Sequence, residues 1–289
     1  MENDTLLYTF SRCALPLTLL AATPGLAQDF TPGAEGPSVF DGDYFIVGVG
    51  LVALPSYEGS DDTVASPAAG IAGRIGGIGI SPRSAGFSLD LVPEKPGQKL
   101  GFAAGPVLRY RMNRTGKIAD PVVERLGKLD GVVEGGFVTG INLKRVLNPH
   151  DSLSFSVDWR WDLSGKGSGM IASPGLSYLT PLSRSKMAGL AASATFVDEG
   201  YARYNYGVTP AGAAASGLPA FTAKGGFKDL SLGVFAAQDL NGDLLDGGAA
   251  IGLGAMWTRL YGSAADTPIT SLRGQRSQWF FGGGLGWVF

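Results

Sequence analysis

Two short motifs contain residue types that bind cofactors or metal ions, but neither has the spacing that this chemistry requires. Gly48-Val49-Gly50 resembles the start of a dinucleotide-binding turn, yet Pro55 lies where the helix of that motif should begin. The segment from Asp239 to Asp243 opens like a calcium-binding loop, but Leu244 occupies the sixth position, which that loop reserves for glycine. We therefore predict no cofactor and no metal ion, and we interpret the second motif as a turn.

Residues suited to covalent or acid–base catalysis are scarce. His150 is the single histidine and follows Pro149 in a predicted turn, which disfavours a serine–histidine pair or a histidine metal cluster. Cys13 is the single cysteine and lies in a predicted export signal, so the mature chain would have no thiol. We predict that the protein is not an enzyme. An embedded hydrolase that uses scattered serine and aspartate side chains is the weakest alternative.

Charged side chains of both signs share the inward parity of the predicted strands. These candidate lumen-facing residues are Arg74, Asp90, Arg109, Arg111, Glu134, Lys144, Asp158, Arg160 and Asp162. Opposite charges inside a barrel form ladders that hold it shut or line a water path, and the sequence leaves both outcomes open. A paired-carboxylate active site is disfavoured because arginines lie between the acids.

The segment from Ser152 to Leu163 has the clearest strand pattern in the chain. Serine, aspartate and arginine alternate strictly with leucine, phenylalanine, valine and tryptophan along the whole segment. Successive side chains of a strand point to opposite faces, so one face is entirely polar and the other entirely apolar. This pattern is typical of a strand that separates lipid from a wet lumen.

The carboxyl-terminal segment also predicts a membrane strand. Its aromatic and aliphatic residues share one parity, which places them on one lipid-facing row: Phe281, Leu285, Trp287 and Phe289. A strand of about 9 to 11 residues spans a bilayer, and aromatic residues mark its ends. This last strand is also the predicted signal for the barrel-assembly machinery.

Together these patterns predict an all-β fold, a transmembrane antiparallel β-barrel of about 12 strands, with about 10 to 14 compatible. Both termini are predicted to be periplasmic. Short inner turns would then alternate with long outer loops at 113–131, 197–227 and 262–277. No apolar run of about 20 residues follows Ala27, so no helix is predicted to span the membrane.

The chain divides into three predicted parts. Residues 1–27 form an export signal cleaved after Ala27, residues 28–41 form a periplasmic leader, and residues 42–289 form the barrel. The predicted location is the outer membrane, and its lipid is a predicted partner of the barrel. The formal net charge of -2 leaves no basic excess, so nucleic acid is not a predicted partner.

Short stretches spread over most of the predicted mature chain resemble the MipA/OmpV family of outer-membrane proteins, also called MltA-interacting proteins. In order they are Gly48-Val49-Gly50, Pro55 to Asp61, Gly105 to Arg111, Asp130, Glu134 to Phe137, Tyr206 to Pro210, Ser216 to Ala220, Arg259 to Ile269 and the final Phe289. Each stretch is weak by itself, and together they are fairly specific.

The resemblance implies an outer-membrane barrel that acts as a non-enzymatic scaffold, linking a periplasmic murein hydrolase to a murein synthase. The mixed charges of the lumen support an alternative, a porin-like channel for small polar solutes. The scaffold function needs surface that faces the periplasm, whereas the predicted inner turns are short. The leader 28–41 and the barrel rim would have to supply most of a standard interface of about 800 Å² per partner.

Overall fold

A computed structural model describes residues 39–94 and 98–289. The predicted export signal and nearly all of the predicted leader lie outside the described residues. A short 3-10 turn, Val39–Asp41, precedes the first strand. The rest of the described chain forms the barrel and the connections between its strands.

Twelve antiparallel strands form one closed barrel, which confirms the predicted fold and strand number. The strands are β1 (Tyr44–Pro55), β2 (Thr63–Ile75), β3 (Ile78–Arg83), β4 (Gly86–Asp90), β5 (Leu100–Arg111), β6 (Val132–Lys144), β7 (Ser152–Asp162), β8 (Met170–Ser183), β9 (Lys186–Val197), β10 (Gly226–Asp239), β11 (Gly248–Leu260) and β12 (Ser277–Val288). Each strand pairs with its neighbours in sequence.

The barrel closes where β1 pairs with β12. The pairing runs from Ile46 with Val288 to Ala53 with Phe281. Closure matters because hydrocarbon offers no hydrogen bonds to backbone groups, so a sheet in a membrane must satisfy these groups within itself.

The strands alternate between an apolar outer face and a more polar inner face. In β7, Phe155 and Trp161 are exposed on the outside, whereas Asp158 and Arg160 are buried on the inside. Large aliphatic and aromatic side chains on the outer face of other strands are exposed in the same way, including Leu51 of β1. This apolar outer belt is the surface that a bilayer solvates, so the fold is that of an outer-membrane β-barrel.

The pairing of the wall is interrupted between β2 and β3. Only Gly73–Ile75 of β2 pairs with β3, so the described residues 63–72 of β2 pair with β1 alone. Pro67 lies in this stretch and has no N–H group to donate. Proline is tolerated in a sheet mainly where a strand forms an edge. The sequence thus fits an interrupted seam at this position.

The two ends of the barrel differ. We call the end that contains Tyr44 and Val288 the terminal end, and the opposite end the loop end. The three long connections predicted from the sequence all lie at the loop end and contain short helices. These helices are α1 (Pro121–Glu124), α2 (Glu199–Tyr206), α3 (Pro210–Ser216), α4 (Gly262–Asp266) and α5 (Pro268–Ser271). In the described part of the chain, no helix is both long and apolar enough to cross a membrane.

The main hydrophobic core lies at the loop end. One cluster packs Tyr201, Tyr206 and Ala265 from the connections against Ile171 and Leu260 of the wall. A second cluster, built around Tyr57, Ile118, Val123, Val208, Leu218 and Ile269, joins four connections to one another. We call this packed assembly of connections the cap.

Candidate functional site in the barrel lumen

An acidic residue precedes each of two helices of the cap and binds the free N–H groups of that helix. Asp198 precedes α2, and its carboxylate accepts hydrogen bonds from the N–H groups of Tyr201 (2.9 Å) and Met170 (2.7 Å). Asp120 precedes α1 in the same way and accepts from Val122 and Val123. An acidic side chain at this position satisfies N–H groups that a helix leaves free. Local sequence therefore fixes where α1 and α2 begin, and the contact of Asp198 with Met170 of β8 joins the cap to the wall.

A buried charge network lies directly beneath the cap. Arg111 of β5 donates from Nε to Oε1 of Glu134 on β6 (2.6 Å), and Nη1 of Arg160 lies 3.2 Å from the other carboxylate oxygen. Arg111 also donates to Asn205 of α2 and to Ser168. The Glu134 carboxylate thus pairs with two guanidinium groups, and the guanidinium group of Arg111 also binds the cap.

A second ionic group joins the cap to β10. Lys228 Nζ lies 3.0 Å from carboxylate oxygens of both Glu58 and Asp229. Glu58, in the turn between β1 and β2, also accepts a hydrogen bond from the Tyr206 hydroxyl. Burial would raise the pKa of Glu58, but Lys228 and Tyr206 outweigh burial and hold that pKa below its ordinary value. Glu58 is therefore a charged tie between wall and cap.

Polar contacts also hold the far side of the cap. Arg273 Nη2 lies 2.7 Å from a carboxylate oxygen of Asp120. The Tyr57 hydroxyl donates to the backbone carbonyl of Arg273 (3.3 Å), and burial together with nearby Asp120 raises the pKa of Tyr57 to about 12. Val123 and Ile269 are almost fully buried beside these contacts, so the cap is closely packed and covers the charge network at the loop end.

Below the charge network, the middle of the lumen holds a cavity of about 460 Å³. An ion pair crosses the interior here: Arg83 of β3 donates from Nε (2.9 Å) and Nη2 (3.3 Å) to the carboxylate of Asp158 on β7. Serine side chains from several strands line the cavity, together with Phe235 and Phe280. We call this space the lumen cavity.

A third ionic group narrows the lumen towards the terminal end. Glu94, in the connection between β4 and β5, lies 3.3 Å from Nη2 of Arg74 and 3.1 Å from Nζ of Lys144. Further towards the terminal end, a smaller apolar pocket of about 140 Å³ is lined by residues such as Tyr44 and Leu245. The interior is therefore mainly apolar in this part, whereas all the lumen-facing residues predicted from the sequence are charged.

Two of the lumen residues predicted from the sequence, Asp162 and Asp90, accept hydrogen bonds from backbone N–H groups. Asp162 lies at the rim, where its carboxylate accepts hydrogen bonds from the N–H groups of Ser164 (2.7 Å) and Ser168 (3.0 Å) and orders the turn after β7. Asp90 faces inward and accepts from the N–H groups of Val92 and Ala104 (3.1 Å each). Both side chains therefore organise backbone rather than cross-strand ion pairs.

Arg109 shares the inward face of β5 with Arg111 but has a different environment. Its Nε atom is buried and has no hydrogen-bond partner among the described residues. The remaining predicted residues Arg74, Arg111, Glu134, Lys144, Asp158 and Arg160 all take part in the ion pairs given above. The predicted outward row is exposed on the outer face at Phe281, Leu285, Trp287 and Phe289.

Several residues of these groups were not predicted from the sequence. Arg83 and Glu94 lie in short segments without a clear alternation, and Glu58 and Asn205 lie in connections. Lys228 and Asp229 belong to the long strand β10, and an irregularity in the pairing beside them disturbs the alternation there. No local pattern marks such residues, because their partners are distant in sequence.

The segment from Asp239 to Asp243, which resembles the start of a calcium-binding loop, is a turn in the structure. No group of three or more histidine, cysteine, aspartate or glutamate side chains among the described residues is placed to hold a metal ion. The Asp239 carboxylate accepts hydrogen bonds from the N–H groups of Asn241 (2.8 Å), Gly242 (2.6 Å) and Asp243 (3.0 Å), and these bonds form the turn.

Solved structures with a similar fold include outer-membrane barrels from several bacteria. The toluene transporter TodX of Pseudomonas putida is 12% identical, with 94% of this chain and 96% of that chain covered and a TM-score of 0.38. An outer membrane channel from Pseudomonas putida F1 is 13% identical, with coverage of 93% and 100% and a TM-score of 0.41. OmpT of Vibrio cholerae is 7% identical, with coverage of 86% and 97% and a TM-score of 0.36. At these identities and TM-scores, the comparisons support no conclusion about function.

Comparison at the level of sequence identifies the family. No curated protein gave a significant match. By contrast, the family model described as MltA-interacting protein MipA matches residues 47–289, which is nearly the whole barrel. The chain therefore belongs to the MipA family of MltA-interacting proteins.

Proposed function

We propose that this protein is a non-enzymatic scaffold of the outer membrane, which docks a periplasmic murein hydrolase and a murein synthase at the terminal end of its barrel. The observation that carries the proposal is the cap, in which the connections at the loop end pack Tyr206, Ile269 and Val123 into almost fully buried clusters. A closed lumen favours a function of the barrel surface. The family description, which names an interaction with MltA, supports the same function.

The proposal assigns the terminal end to the periplasm, since the long connections of outer-membrane barrels face the outside. The turn between β6 and β7 is the best candidate for a contact there. Leu147 in this turn is 79% exposed. The carboxylate of Asp151 orders the turn by accepting hydrogen bonds from the N–H groups of Val146 (2.6 Å), Leu147 (2.8 Å) and Asn148 (3.1 Å). An apolar side chain on an ordered turn loses little entropy on binding.

One turn is too small for a stable complex, since a standard interface buries about 800 Å² on each partner. The connection between β10 and β11 adds a second ordered surface at the same end. Arg184 Nη2 lies 2.6 Å from a carboxylate oxygen of Asp243, which joins this connection to the turn between β8 and β9. The proposed docking face therefore consists of three neighbouring connections around Leu147, Arg184 and Asp243.

Affinity capture from periplasmic extract tests this function. The full chain is purified in detergent, immobilised and crosslinked, and the captured murein hydrolases and synthases are identified by mass spectrometry. The variant Leu147→Glu should lose these enzymes. The matched variant Leu272→Glu changes a side chain that is 60% exposed at the loop end, and it should keep them. Capture of no murein enzyme by the unaltered protein would rule out the scaffold.

The lumen cavity favours a second candidate function, a channel for small polar solutes. Serine hydroxyls and an ion pair line a space that could hold such a solute. Transport would require the cap to move, since it fills the loop end. A swelling assay on proteoliposomes in sorbitol and in maltose tests this candidate, and swelling no faster than in protein-free liposomes would remove it.

A further inference from the structure

The lumen cavity exists because the inward residues at its level are small. Strand pairing joins Gly140, Ser156, Gly175, Ser193 and Ser231 in that order across five neighbouring strands. None of these side chains reaches the middle of the barrel. The result is a space of about 460 Å³, which is in the range of small-molecule binding sites.

Many hydroxyl groups around this cavity lack a partner in the protein. Among the described residues, the side chains of Ser81, Ser88, Ser156, Ser177 and Ser193 line the cavity without a hydrogen bond. Ser88 is only 3% exposed. Buried polar groups are normally hydrogen-bonded, so these hydroxyls suit a ligand that brings several donors and acceptors of its own.

The charges at the cavity cancel. Asp158 pairs with Arg83, and Glu94 lies between Arg74 and Lys144, while Asp90 accepts backbone hydrogen bonds. Together these residues are three cations and three carboxylates, and Arg74 and Lys144 reach the cavity lining only through Glu94. An anionic ligand would have to break one of these ion pairs and leave a buried charge without its partner, which is costly. A cationic ligand would have to bind at Asp90, whose carboxylate already accepts two backbone hydrogen bonds. An uncharged ligand avoids that cost.

One side of the cavity wall is apolar and aromatic. Phe235 of β10 and Phe280 of β12 line it, with Met256 of β11 between them. A Cβ atom on Gly189 would overlap the Phe235 ring, so the glycine lets this ring lie close against the wall. Aromatic surface beside a set of polar groups fits a molecule with one apolar face and several hydroxyls.

From these observations we infer that the lumen cavity binds an uncharged polyhydroxylated molecule, a sugar of monosaccharide to disaccharide size. The serine hydroxyls bind the hydroxyl groups of the sugar, and Phe235 and Phe280 pack against the C–H face of its ring. The site lies inside the barrel, away from the docking face around Leu147. It therefore does not depend on the scaffold function.

Isothermal titration calorimetry on the full chain in detergent tests the site with four neutral probes, namely maltose, sucrose, N-acetylglucosamine and sorbitol. At least one should bind, and glutamate and lysine should bind at least about tenfold more weakly than that probe. Ser193→Leu fills the cavity and should weaken the binding by about tenfold or more. Thr139→Leu places the same side chain on the exposed outer face of β6 and should leave it unchanged.

Folding of each variant is checked by its shift on unheated electrophoresis gels, and Ser177→Leu serves as a second cavity-filling variant should Ser193→Leu not fold. Absence of binding for all four neutral probes would overturn the inference, as would equal binding of glutamate or lysine. Binding that survives both cavity-filling variants would place the sugar elsewhere and would also overturn it. Capture of murein enzymes by Ser193→Leu should equal that of the unaltered protein, so the two proposals fail separately.

Discussion

The hydroxyl of Tyr206 donates a hydrogen bond to the carboxylate of Glu58, which joins the end of helix α2 to the turn between β1 and β2. These residues are 148 positions apart in the chain. Because Lys228 of β10 pairs with the same carboxylate, Glu58 joins two connections of the cap to this strand of the wall. Removal of its charge should therefore loosen the cap without opening the barrel.

We expect Glu58→Gln to destabilise the cap by about 1 to 3 kcal/mol, since Lys228 loses one of its two acidic partners in a buried setting. Limited proteolysis should then cut the connection 198–225 faster. The control is Glu199→Gln, which removes an exposed ion pair with Arg203 on the same helix. Equal cleavage rates for both variants would show that Glu58 does not fasten the cap.

The cap should also loosen in acid. The pKa of Asp120, which burial alone would raise, is held low by Arg273 and by two backbone N–H groups, and the pKa of Glu58 is low as well. A carboxyl whose pKa is depressed in the folded state stabilises that state above its unfolded pKa and loses this contribution as the pH falls through the folded pKa. Proteolysis of the connections by pepsin should therefore accelerate below roughly pH 4. A cleavage rate that stays constant from pH 5 to pH 2, once it is corrected for the pH dependence of pepsin itself, would contradict this expectation.

The buried carboxylate of Glu134 should matter more than any exposed acid. Its loss in Glu134→Gln leaves two buried guanidinium groups, those of Arg111 and Arg160, without their shared partner. Breaking such a pair costs about 3 to 5 kcal/mol. The matched change Asp130→Asn removes an exposed pair with Lys166 and should cost at most about 1 kcal/mol. Urea unfolding followed by tryptophan fluorescence measures both values, and similar losses would refute the buried network.

Close packing at Gly189 gives a test of the lumen wall. Gly189→Ala should destabilise the barrel by about 1 to 3 kcal/mol because the new methyl group overlaps the Phe235 ring. Gly233→Ala, on the inner face of β10, has more room, since the nearest atom would be 3.7 Å away. The double variant with Phe235→Ala should remove most of the penalty at position 189. A penalty that persists in the double variant would mean that Phe235 is not its cause.

Strand pattern predicted the wall of this protein well and its interior only in part. The alternation from Ser152 to Leu163 depends on neighbouring residues alone, so it predicts both faces of β7. The contact between Glu58 and Lys228 joins residues 170 positions apart, and the helices that bring such residues together are short and lie in connections. No local periodicity marks a short helix whose stability comes from packing against distant residues. The cap and the lumen cavity therefore became apparent only in three dimensions.

The measurement that tests the account most directly is ion conductance of the purified barrel in a planar lipid bilayer. A lumen closed by the cap predicts no conductance above background for the unaltered chain. It also predicts open-channel currents once the connection 198–225 is replaced by a short turn. Stable channel currents from the unaltered protein would contradict a closed barrel that acts through its surface.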